Sequence, residues 1–328
     1  MIDIKFIEQL KRFHFIRRMV LQRKISFDFP VRFNVEPTNY CNLSCSMCPR
    51  ELNRPFGYME FNLFQKIIDE SICYGKRLIL TINKDGEPLL HPELSQMVKY
   101  AKDKKAAYKI NFYTNGILLT ETKSDEIIKS GLDTMHISID AFTKETYKKV
   151  KNSEKLETVE ENVKRLVALK KRLQSKTPLV VVKIIQTPDT QNEIKPFIHK
   201  WKGIADFIEI GEYHNWDGTI NSLNQINPDN LSKGINRYPC TFLWYNPVIF
   251  WDGRVTTCCV DYQGKGVIGD IKENTLAEIW QGDTLQKIRK AHLEGQYSTI
   301  PLCSKCQFWR CEVNIEKWLR SKAEHDGG

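Results

Sequence analysis

Asn39-Tyr40-Cys41-Asn42-Leu43-Ser44-Cys45-Ser46-Met47-Cys48 is the stretch on which the reading of this chain turns. It places three thiols, spaced x3 and x2, directly after a short β-rich run at 31–35. Three thiolates in one short loop suit three corners of an iron–sulfur cubane and leave its fourth iron without a protein ligand. A structural zinc site would want a fourth Cys or His close by. The nearest downstream are Cys73, inside an apolar helical run, and His91, in another loop. Cys73 is expected to be a buried small hydrophobe.

Working outward, β-rich runs at 31–35, 77–82, 109–113, 134–139, 179–185 and 207–210 alternate with helix-like stretches. The helical stretches fall at 63–73, 92–103, 123–130, 143–150, 156–172 and 193–201. Strict alternation of strand and helix implies βαβ units on a parallel sheet. Six units predict an α/β fold, a partial (β/α)6 TIM-like barrel, with its chemistry in the loops that follow the strands. The expected organisation is a basic amphipathic helix at 1–30, the barrel at 31–214, a polar linker or lid at 215–239, and a small C-terminal Fe–S cluster domain at 240–328.

The first cysteine motif, in this position, resembles the radical SAM (S-adenosylmethionine) superfamily. Other short motifs stand in the family's order at strand ends. Gly86-Glu87-Pro88 matches the segment whose backbone grips the SAM amino group, and Met47 stands where the family places an apolar contact to adenine. Thr114-Asn115-Gly116 and Ser138-Ile139-Asp140 end the third and fourth strands, where the family binds ribose and the methionyl carboxylate. A fifth element is recognisable around Lys183 to Gln186, with Lys183 as the candidate contact. The resemblance implies that a [4Fe–4S] cluster on Cys41, Cys45 and Cys48 chelates SAM through its open iron. One electron then breaks the sulfonium bond, and the 5′-deoxyadenosyl radical takes hydrogen from an unactivated C–H bond. The electron implies a reductant such as flavodoxin or ferredoxin.

The chain holds ten cysteines, and a second group lies near its end: Cys240, Cys258, Cys303 and Cys306, spaced x17, x44 and x2. A hairpin with its turn at Asp252-Gly253 would bring the first two together, and Cys-x2-Cys supplies the others. This pattern resembles the auxiliary-cluster extension called SPASM, or its shortened relative, twitch, and implies an auxiliary [4Fe–4S] cluster. The spacing is most similar to enzymes of the 2-deoxy-scyllo-inosamine dehydrogenase type. Zinc held by four cysteines shares the spacing logic and is the alternative. The full extension carries further cysteines and two auxiliary clusters, whereas here only Cys311 follows. Cys259 and Cys311 are the candidate catalytic thiols, as hydrogen donors to a substrate radical.

Hydrophobic residues make up 41% and charged residues 27% of the 328, the composition of a globular protein with a sizeable core. No run approaches the length of a membrane span, and the N-terminal segment lacks the apolar centre of a signal peptide. A cytoplasmic enzyme is expected, with the basic helix packed on the barrel or, less in keeping with such helices, lying on a membrane surface. The formal charge of +9 is spread along the chain without a nucleic-acid-binding signature, so nucleic acid is not expected as a partner. The expected reaction is oxidation or epimerisation of a small polar metabolite. A peptide-modifying maturase is the alternative, and a non-catalytic Fe–S carrier would not need the SAM-gripping motifs. Lys84, Asp85, His214 and Trp216 are further candidates for substrate contact.

Overall fold

The computed structural model describes residues 29–30, 32–49, 53–73, 78–220 and 237–310. The N-terminal basic helix, most of the polar linker and Cys311 lie outside the described residues. Six parallel strands form the barrel wall: β1 (Arg32–Val35), β2 (Ile79–Ile82), β3 (Lys109–Thr114), β4 (Thr134–Ser138), β5 (Leu179–Gln186) and β6 (Phe207–Glu212). They pair in sequence order, β1 with β2 through to β5 with β6. The connecting helices are α1 (Phe61–Ile72), α2 (Leu94–Asp103), α3 (Glu121–Ser130), α4 (Lys144–Lys151), α5 (Leu156–Arg172) and α6 (Ile194–Trp201). The architecture is the expected α/β partial barrel.

The strands alternate in a way that separates two faces. Phe33, Val35, Leu80, Ile82, Ile110, Phe112, Met135, Ile137, Val180, Val182 and Ile184 point outward and are buried under the helices. The other face, the concave one, carries Arg32, Asn34, Thr81, Asn111, Tyr113, Thr134, His136, Ser138, Lys183 and Glu209. A polar row there is unusual for a barrel, whose interior is ordinarily filled by branched apolar side chains. Two of the barrel helices start on a side-chain cap. Thr120 caps α3 by accepting from the Lys123 N–H, Gly131 ends it in the left-handed region, and Thr143 caps α4.

Beyond the barrel come the hairpin β7 (Val248–Ile249) and β8 (Arg254–Thr256), then β9 (Val267–Asp270), α7 (Leu276–Gln281), α8 (Asp283–Leu293) and the short α9 (Pro301–Ser304). The hairpin turn at Asp252-Gly253 is as expected, with Gly253 at φ 98°. The hairpin also joins the barrel sheet, because β7 pairs with β1 in parallel, Asn34 opposite Val248 and Val35 opposite Ile249. Among the described residues the sheet therefore has nine strands, in the order β6-β5-β4-β3-β2-β1-β7-β8-β9.

A buried charge network sits at this seam. Arg54 reaches Glu36, just past β1, at 2.7 and 2.5 Å, and Asp85, just past β2, at 2.7 Å. Lys84 closes the chain on Asp85 at 2.6 Å. Arg54 also donates to the carbonyl of Tyr262 and lies over the ring of Phe250, while Glu36 accepts from the N–H of Trp251. None of these four side chains is more than 5% exposed. Replacing Arg54 by Met leaves the buried Glu36 without its cation, while Asp85 keeps Lys84, and should lower stability by about 3–5 kcal/mol. Urea unfolding of Arg54→Met against wild type measures this; a loss below about 1 kcal/mol would show that the pair behaves as a surface salt bridge.

Candidate functional site

The Cys41–Cys48 loop leaves the C-terminal end of β1 and is tied down along its length. Ser46 donates its N–H to the Val150 carbonyl at 2.9 Å, Asn152 donates to Ser44 Oγ at 3.0 Å, and Trp216 Nε1 donates to the Met47 carbonyl at 3.1 Å. Met47 is buried with Val150 and Tyr213. Across the loop's entry lies Gly86. A Cβ at that position would stand 2.3 Å from the Thr38 carbonyl oxygen and 2.5 Å from that of Tyr40, both backbone atoms. Glu87 N–H then donates to the Tyr40 carbonyl at 2.8 Å. Gly86 is glycine because the backbone of the second loop presses on that of the first.

The side chain of Glu87 points away from this contact and binds the third strand's end. It accepts from Thr114 Oγ1 at 2.6 Å, from the Asn115 N–H at 2.7 Å and from the Leu89 N–H at 3.1 Å. Burial pushes its carboxyl up from the ordinary value, against the pull of these donors. Pro88 opens the short turn that Glu87 caps. Asn115 in turn donates to Asn42 Oδ1 at 2.8 Å, inside the cysteine loop. Asp140 sits in the left-handed region at φ 58°, held by Lys151 Nζ at 2.5 Å and by the Ile185 N–H at 2.9 Å. That conformation persists because buried partners fix it. Ser138 and Lys183 face the concave side in register with one another, and the Lys183 ammonium lies 2.9 Å from Glu209. The structure thus gathers Met47, Gly86, Glu87, Pro88, Thr114, Asn115, Ser138 and Asp140 around the cysteine loop at the strands' C-terminal ends.

The second cysteine group also comes together. Cys240, Cys258, Cys303 and Cys306 line one small cavity with Arg237 and His292. Cys259 does not line it. Its thiol is hydrogen-bonded to that of Cys258, both being free thiols, and lies within electrostatic reach of Tyr113 and Tyr245. Burial, with Cys258 beside them, pushes Cys303 and Cys306 up to about 12. His292 accepts from the Cys240 N–H at 3.2 Å, and burial pushes its imidazole down to about 4. Cys73 is exposed rather than buried. It follows the last turn of α1, whose inward stripe is Phe64, Ile67, Ile68 and Ser71, so it falls off the packed face.

Two family models match the chain: the radical SAM superfamily over residues 35–191, and the iron–sulfur cluster-binding domain SPASM over residues 240–307. Residues 35–191 form a radical SAM domain. The chain's cofactors are a SAM-binding [4Fe–4S] cluster, SAM, and an auxiliary cluster in the SPASM portion. Over 87% of its length this radical SAM chain is 26% identical to the tungsten-containing aldehyde ferredoxin oxidoreductase cofactor-modifying protein of Pyrococcus furiosus, covering 90% of that protein. It is 29% identical to a probable GTP 3′,8-cyclase of Methanococcus maripaludis, but there it covers only 55% of itself and 58% of the cyclase. Among solved structures, BtrN in complex with AdoMet and 2-DOIA superposes with a TM-score of 0.57 at 19% identity, over 85% of this chain and 93% of BtrN. Streptococcus suis SuiB bound to its precursor peptide SuiA gives 0.66 at 15% identity, over 97% of this chain and 79% of SuiB. These two likenesses are of fold. Among the described residues no helix is long and apolar enough to cross a membrane.

The radical SAM residues present suit the groups the family implies. At the first site Lys151, a buried ammonium, lies within electrostatic reach of the Cys45 thiol. At the second site four thiols surround a cavity, and among the described residues no three His, Cys, Asp or Glu side chains close on a point for a single ion. Thiols so buried resist ionisation unless a cationic group supplies the compensating charge, as cluster iron does. Lys151, Asn42 and Arg54 escaped the sequence reading because their partners are brought to them by the fold. Gly86→Ala should displace the first cysteine loop while leaving the second cavity intact. Reconstituted wild type is expected to hold about eight irons and this variant about four; full iron content in the variant would show that the loop tolerates the side chain.

Proposed function

We propose that this radical SAM enzyme removes hydrogen from a carbinol carbon of a small polar metabolite, a sugar, cyclitol or related compound, and leaves a ketone. Cys41, Cys45 and Cys48 hold the SAM-binding cluster, and Cys240, Cys258, Cys303 and Cys306 hold the auxiliary one. The backbone at Gly86-Glu87-Pro88, with Met47, Thr114 and Asn115, receives SAM on one side of the cysteine loop, and Ser138, Asp140 and Lys183 receive it on the other. When bound, these groups supply a hydrogen-atom acceptor and an electron acceptor. The chain's own part is to orient a hydroxylated compound on the concave face.

The observation that carries this reading is the polar row on that face. Among the described residues, Asn34 Oδ1 and Thr134 Oγ1 are buried there with no hydrogen-bond partner, as is Arg32 Nε. Buried polar atoms without partners cost about 1–3 kcal/mol each, which a ligand rich in hydroxyl groups would offset. The likeness over most of its length to a protein named for modifying a cofactor supports small-molecule over peptide chemistry. One further observation favours epimerisation as a second reading: Cys259 is within electrostatic reach of Tyr113, a residue of the concave face that a hydrogen-donating thiol would have to approach.

Anaerobic turnover in deuterated water, with SAM, reduced flavodoxin and a panel of cyclitols and sugars led by 2-deoxy-scyllo-inosamine, separates the readings. Oxidation gives one deoxyadenosine per product and a product two mass units lighter than the substrate. Deuterium on carbon at unchanged oxidation level establishes the epimerase. Modification of a peptide with no change in any polyol overturns both.

A further inference from the structure

Three titratable side chains on the concave face, Tyr113, His136 and Glu209, take no part in the cysteine sites, and they form one group with Lys183. Tyr113 on β3 stands directly opposite His136 on β4, and Lys183 on β5 directly opposite Glu209 on β6. One carboxylate oxygen of Glu209 lies 3.1 Å from His136 Nδ1 and the other 2.9 Å from Lys183 Nζ. The imidazole stacks on the Tyr113 ring at 4.3 Å and 18°, and the Lys183 ammonium lies 5.5 Å from the centre of the same ring. Position and tilt of the imidazole are thereby fixed. So is its tautomer, because a carboxylate at Nδ1 requires the hydrogen there and leaves the lone pair on Nε2.

Nε2 has no hydrogen-bond partner among the described residues. His136 precedes Ser138 by two positions on one strand, so both side chains leave the same face, and 15% of the His136 side chain is exposed. Around the imidazole stand Tyr113, Lys183 and Glu209, with Arg32 and Cys259 within electrostatic reach of Tyr113. The hydrogen bond from His136 and the charge of Lys183 hold Glu209 down at about 2, so it stays a carboxylate and takes no proton itself. Lys183 is pushed up by Glu209 despite its burial and remains an ammonium, with no lone pair to offer.

We propose that His136 is the base that accepts the substrate's hydroxyl proton, with Glu209 as its positioning residue. This rests on the reading of the chain as a carbinol oxidase. Forming a ketone from a carbinol releases a hydrogen atom from carbon, a proton from oxygen and one electron. The hydrogen atom and the electron have their acceptors in that reading, and Nε2 receives the proton. The resulting imidazolium is stabilised by Glu209 and returns its proton to solvent between turnovers.

Two measurements on the full-length protein test the base. Nitrogen NMR of histidine-labelled protein at mildly alkaline pH, with His136→Gln used to assign the resonance, should show His136 as the Nδ1–H tautomer. An Nε2–H tautomer overturns the proposal whatever the substrate. In turnover with 2-deoxy-scyllo-inosamine deuterated at the carbinol carbon, His136→Gln should lower ketone formation by at least about 100-fold. Deuterium should still pass into deoxyadenosine, and iron content should stay at the wild-type level. His136→Asn serves as the second variant if the first loses iron. Ketone formation at the wild-type rate in either variant overturns the base. Absence of ketone with wild type itself is a different result: it fails the oxidase reading and takes the base with it.

Discussion

The guanidinium of Arg54 is enclosed by two carboxylates that have no route to water, and this enclosure joins the parts of the molecule that must act together. Glu36 belongs to the loop that leads into the first cysteines, and Asp85 to the loop that carries Gly86. Tyr262, Phe250 and Trp251 belong to the SPASM portion. A planar, forked cation is suited to the task because it satisfies two carboxylates and a carbonyl at once. Such a network adds little stability over an apolar core of the same volume, but it tolerates few other arrangements. Its value here is in register: the two loops and the hairpin meet at one spacing.

The two cysteine sites differ in what surrounds them. The first is a loop clamped by hydrogen bonds from α4, β3 and the segment after β6, with an ammonium behind Cys45. The second is a cavity lined by thiols and apolar side chains, in a part of the chain with a small core of its own: Leu243, Trp244, Trp280 and Leu285. The first loop therefore keeps its shape through protein contacts. The second region is also anchored to the barrel core through Ile249, Val255, Ile271, Leu276 and Ile279, and whatever the four thiols bind adds to that.

The barrel was legible in the sequence because its signals are local. Strand runs, helix stripes and the motifs at the strand ends lie within a few residues of one another, and the alternation of elements leaves few topologies to choose among. Asp140 could be singled out as a candidate for the same reason. Its partner Lys151 could not, since nothing in Lys148, Lys149 and Lys151 marks which ammonium turns inward. Glu209 and His136 carry a faint signal, as polar residues at alternate positions in β-rich runs, yet only the register of four strands brings them together. Cys73 was misread because an apolar run near a helix end says nothing about which way the residue after the last turn points. The hairpin's turn was readable at Asp252-Gly253, whereas its pairing with β1 was not, because pairing across a parallel edge leaves no trace in spacing.

That pairing has a consequence for how the chain is made. Asn34 and Val248 are roughly two hundred residues apart, and loops of this length close slowly compared with neighbouring strand pairs. During synthesis β1 can zip to β2 early, but its other edge stays unpaired until most of the polypeptide has left the ribosome. An open edge of that kind is a template for another chain. Expression yield should therefore depend on temperature and on chaperone supply more than the regular barrel would suggest.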